Sequence, residues 1–70
     1  MGKRAAIATT EAEVLRLTLA QLNQQIAKTE HRVNSVSKAA LRKSAFRLLI
    51  WQEAQRETLH GIPAPTREAP

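Results

Sequence analysis

The residues best suited to chemistry in this chain are five cations in one acid-free stretch. From His31 to Gln52 the sequence carries Arg32, Lys38, Arg42, Lys43 and Arg47 with no Asp or Glu, so this stretch alone equals the formal net charge of +5. Long cations crowded together repel one another, and a polyanion such as nucleic acid, or an anionic membrane, relieves that repulsion. A surface kept merely soluble usually mixes both signs, and this one does not. The chemistry on offer is therefore phosphate neutralisation. On a helical wheel Phe46 and Ile50 fall within the same basic arc, one turn apart. There they either contact bases, sugars or acyl chains, or pack on another helix with the cations solvated around them. Few other groups can read base edges, Asn34 and Gln52 being the weak candidates, so low sequence specificity is expected.

No catalytic set accompanies these cations. The chain has no Asp, Tyr or Cys, and its glutamates other than Glu30 gather near expected helix ends. A nucleophile, base and orienting group converging in a concave pocket are not to be found here, and no enzyme is expected. A glycine-rich phosphate loop is ruled out, since the only glycines are Gly2 and Gly61. No cofactor is implied. Cysteine ligation of a metal is impossible, and His31 and His60 are too far apart to act from adjacent helical turns. His60, near a helix end, reads as a capping charge on C-terminal carbonyls, and His31 as a surface residue.

The elements that must carry the cations are helical. Thr10 and Glu13 have capping-box spacing, and Glu11 and Glu13 suit the positive end of a helix dipole. No Gly or Pro intervenes before Gly61, which stands where a left-handed cap belongs, with Pro63 two residues on. Residues 1–9 read as a flexible basic arm, 10–61 as the helical region and 62–70 as a flexible Pro-rich tail. Within the helical region Leu15, Leu19, Leu22, Ile26, Thr29, Val33, Val36 and Ala40 are spaced 4-3-4-3-4-3-4. That stripe has the width of a coiled-coil seam, and Leu15, Leu19, Leu22, Ile26, Val33 and Val36 are its expected oligomer interface. After Ala40 the stripe shifts to a second apolar face built from Leu41, Leu48, Leu49 and Trp51, with Trp51 as a core anchor. A shift of face without an insertion implies a bend or a change of partner. Asn34, Ser35 and Ser37 sit at the junction, where Ser37 could cap a second helix from Lys38, so a turn falls near 34–37. The expected fold is all-α: two amphipathic helices, forming a helical hairpin or one long bent helix, associated as a coiled-coil or bundle oligomer. Gln21, Asn23, Gln24 and Gln25 read as a solvated outer face.

Size points the same way. A 70-residue chain builds a core worth only ~3–5 kcal/mol, and without disulfides association with copies of itself, favouring a dimer, is the remaining support. No apolar run is longer than Leu48-Leu49-Ile50-Trp51, which is far short of the ~20 residues that span a bilayer. The basic start at Met1 to Ala8 lacks the apolar region of a signal peptide, so a cytoplasmic protein is expected. No helix-turn-helix turn is marked, and the basic stretch follows the seam, whereas a basic zipper places it before. Two readings follow. One is a small basic oligomer that binds nucleic acid through phosphates as an accessory or regulatory protein. The other is a protein–protein adapter, pairing its seam with another protein's helix and inserting Phe46, Leu49, Ile50 and Trp51 into a groove. Lying on a membrane is a distant third.

Overall fold

Helix begins where Thr10 caps it. The Thr10 Oγ1 accepts from the Glu13 amide at 3.2 Å, and the Glu13 carboxylate accepts from the Thr10 amide at 3.1 Å. Both limbs of the capping box are thus closed. The computed structural model describes residues 7–66, and every regular element among them is helical: α1 (Glu11–Leu15), α2 (Leu19–Ser35) and α3 (Ala39–His60). Residues 1–6 of the expected arm and 67–70 of the tail lie outside the described residues.

The seam does not run through one unbroken helix. After five residues α1 stops at Arg16, and α2 restarts with a second capping box. Here Thr18 Oγ1 accepts from the Gln21 amide at 3.1 Å, while Gln21 Oε1 accepts from the Thr18 amide at 2.9 Å. Such a box satisfies two amides that an interrupted helix leaves open, which makes the break inexpensive. The break re-aims the chain, so that Val14 turns into the core and Leu15 is left 66% exposed.

The second interruption lies at 36–38. Val36 closes α2 in extended conformation (φ −74°, ψ 138°), and Lys38 opens α3 in the same region (φ −78°, ψ 128°). The Ser35 hydroxyl donates to the His31 carbonyl within the last turn of α2. Ser37 does not cap α3: the cap is Lys38, which makes no side-chain cap hydrogen bond. Instead, Arg42 reaches back from α3 and its Nη2 donates to the Val36 carbonyl at 3.0 Å, satisfying a group at the end of α2. At the far end α3 stops at Gly61, whose φ of 70° needs a residue without a Cβ penalty and whose amide donates to the Glu57 carbonyl at 2.9 Å.

The helix interruption lets α3 return along α2. Asn23, early in α2, accepts from Arg56 Nη1, late in α3, at 2.9 Å. Between them lies one small core of Ala8, Val14, Leu22, Ile26 and Leu49, with Leu17, Val33 and Trp51 packed on it. Burying a Leu or Val side chain fully is worth about 1.5–3 kcal/mol, so Val14, Leu22 and Leu49 dominate it. Ala8 is a departure from the expected loose arm. It is buried, and its amide donates to Gln25 Oε1 at 2.9 Å. Gln25 correspondingly leaves the solvated face assigned to it and becomes a buried tie between the N-terminal segment and α2. Its neighbours are also engaged, Gln21 as the second limb of the α2 capping box and Asn23 as the acceptor from α3.

Candidate nucleic-acid interface

The cations flank the 36–38 turn and run on along α3. Arg32 sits in the last turn of α2, Lys38 is the cap of α3, and Arg42, Lys43 and Arg47 follow in its first turns; all five are exposed. No acid occupies the first turn of α3, so the positive end of its dipole coincides with Lys38 and Arg42. Cations there are unfavourable by ~0.3–1 kcal/mol each at most, and an anion placed among them reverses the sign. Of the five, Arg42 has a structural bond already, to Val36, and part of its guanidinium is committed to holding the turn.

At 3.6 residues per turn, Lys43, Arg47 and Ile50 project from α3 on the side opposite Ala45, Leu49 and Gln52, which are buried against the rest of the chain. Ile50 is exposed about one turn beyond Arg47, whereas Phe46 at the edge of the same arc is half-buried. The two residues therefore divide, with Ile50 facing solvent and Phe46 partly packed. Gln52 cannot read bases. It is 0% exposed, and neither its Oε1 nor its Nε2 has a hydrogen-bond partner among the described residues. Asn34 remains exposed.

Beside the basic turn a groove of about 550 Å³ opens between α2 and α3. Ile7, Val36, Leu41, Ala45 and Leu48 supply its apolar lining, and Lys28 and Arg32 line it from α2. Leu48 is half-buried there and Leu41 is exposed, while Leu49 is enclosed in the core and Trp51 is packed against it. The second apolar face is thus split between an interior half and a groove half.

The seam residues are likewise dispersed. Leu22 and Ile26 are buried inside this chain, Val33 packs on the core, and Leu19 and Val36 are half-buried. Only Leu15 presents most of its surface to solvent. The chain's own third helix covers the stripe because Ala45 and Leu49 on α3 are buried with it. Hydrogen bonds from the Thr9 amide first, then from the Thr10 hydroxyl, hold the Glu13 carboxyl below the usual value of 4.5.

Among the described residues no group of three His, Cys, Asp or Glu is placed to hold a metal ion, and no helix is long and apolar enough to cross a membrane. Compared with protein-family models, with curated proteins and with solved structures, the chain matches none of them.

Proposed function

We propose that this chain is a non-enzymatic accessory or regulatory protein of the cytoplasm, which binds nucleic acid mainly through phosphates and associates with copies of itself. One observation carries the reading: Arg32, Lys38, Arg42, Lys43 and Arg47 are all exposed, on and beside one turn, in a stretch with no acid among them. A duplex presents a phosphate about every 1.7 Å of its axis, so a cluster of this kind meets several at once and releases their counterions. Lys43, Arg47 and the exposed Ile50 extend the surface along α3. With Gln52 withdrawn into the interior, Asn34 is the remaining amide candidate for base edges, and the binding is weakly selective for sequence.

Fluorescence anisotropy with a labelled duplex at two salt concentrations tests this. Binding that weakens steeply with salt and differs little between unrelated sequences is the expected result. No binding at the lower salt refutes the nucleic-acid reading, and the groove then favours an adapter that holds another protein's helix.

A further inference from the structure

Leu15 and Leu41 are the most exposed large hydrophobic residues among those described, and they sit on complementary features. Leu15 on α1 is 66% exposed and Leu41, in the lining of the groove, is 54% exposed. One turn before Leu15, at i,i+4, stands the exposed Glu11, so an acid and a leucine share one face of α1. Across the groove, Lys28 and Arg32 are also i,i+4 neighbours, both exposed on α2. Val14 anchors α1 in its own core with Leu22, Ile26 and Leu49, which leaves the Glu11–Leu15 face pointing away. The chain thus carries a small acidic and apolar knob, together with a groove of apolar floor and basic rim.

We propose that α1 of a second copy docks in this groove, with Leu15 against Val36, Leu41 and Leu48 and the Glu11 carboxylate beside Lys28 and Arg32. This specifies the self-association proposed above and rests on it. The two surfaces are different patches of the same molecule, so the contact is heterologous and joins copies head to tail. Every open assembly retains one free knob and one free groove, at opposite ends, until a ring closes. The contact takes Arg32 out of the phosphate-binding set. Lys38, Lys43 and Arg47 do not line the groove, so the assembly leaves those three open and repeats them along its length.

Sedimentation velocity of the full chain at low salt tests the contact by complementation. Wild type is expected to gain mass steadily with concentration. Leu15→Asp removes the knob and keeps the groove; Leu41→Asp spoils the groove and keeps the knob. Each alone is expected to be monomeric with wild-type helical circular dichroism, since both positions are exposed. An equimolar mixture is expected to form one species of twice the monomer mass and to stop there. Glu11→Lys and Arg32→Glu should each weaken assembly, and the two changes in one chain should restore it. A mixture that stays monomeric overturns the head-to-tail contact. Assembly of Leu15→Asp like wild type also overturns it, while leaving self-association through another surface. A wild type that is monomeric at every concentration overturns both.

Discussion

Gln52→Met is expected to stabilise the protein, although it removes a polar group from the middle of α3. Gln52 is 0% exposed, and neither end of its amide is hydrogen-bonded among the described residues. In the unfolded chain both ends are hydrated. Folding therefore strips the amide of water and returns no bond, a cost of about 1–3 kcal/mol for a buried unsatisfied group. Methionine matches glutamine in length and branching, fills the same space and carries no such cost. The expected gain is about 1–3 kcal/mol. For a domain of 60–100 residues each kcal/mol shifts the midpoint by ~4–8 °C, so a rise of roughly 5–20 °C should be seen. Gln52→Ala controls for packing: it also removes the amide but leaves a cavity, whose cost offsets the gain. Thermal and urea melts followed by circular dichroism, at one fixed protein concentration because association alters apparent stability, measure both variants. A midpoint lowered in Gln52→Met refutes the reasoning, because it means the amide has a partner, such as a trapped water or a group from another copy.

Replacing Thr18 by Ala opens the second capping box and should cost ~1 kcal/mol, read in the same melts; an unchanged midpoint means the break at 16–18 is held by packing alone. Glu13 supplies a pH dependence with a definite sign. Its folded pKa lies below the ordinary value of 4.5, so the stability it adds is fully present above that value and is lost as pH falls through the lower folded pKa. Glu13→Gln keeps a capping-box side chain without the titration, and the difference between the two acid-melting profiles below about pH 4.5 should vanish in the limit where Glu13 is protonated.

Much of the helical framework was legible, and the misses share a cause. The starts and stops written in local chemistry stand where the sequence puts them: the Thr10–Glu13 box, Gly61 beyond the last turn, and the weak helix formers Asn34, Ser35 and Ser37 before α3. The Thr18–Gln21 box has the same Thr-x-x-Gln spacing and was open to the same reading. Its signal was masked by the stronger heptad stripe that runs straight through it. A stripe fixes which residues need covering and leaves open what covers them. Here α3 and Ala8 of the same chain cover Leu22 and Ile26, a long-range outcome with no local signature. Gln25 and Gln52 were misplaced for a related reason. Glutamine on a wheel reads as solvent-facing; Gln25 is drawn in by the distant Ala8 amide, whereas Gln52 is enclosed by packing with no hydrogen-bond partner among the described residues. The cation cluster, by contrast, was visible as a run of one sign. The structure adds that Arg42 is partly spoken for by Val36.

The central claim is that exposed cations near the α2–α3 turn contact phosphates, and the salt dependence of one triple variant tests it most directly. Lys38, Lys43 and Arg47 are changed together to Gln, sparing Arg42 because its bond to Val36 holds the turn. Each phosphate contact contributes ~0.9 to the slope of log affinity against log salt on duplex DNA. The slope should therefore flatten by roughly two to three units, with affinity reduced alike on unrelated sequences and helical circular dichroism unchanged. A triple variant that keeps the wild-type slope and affinity contradicts the account.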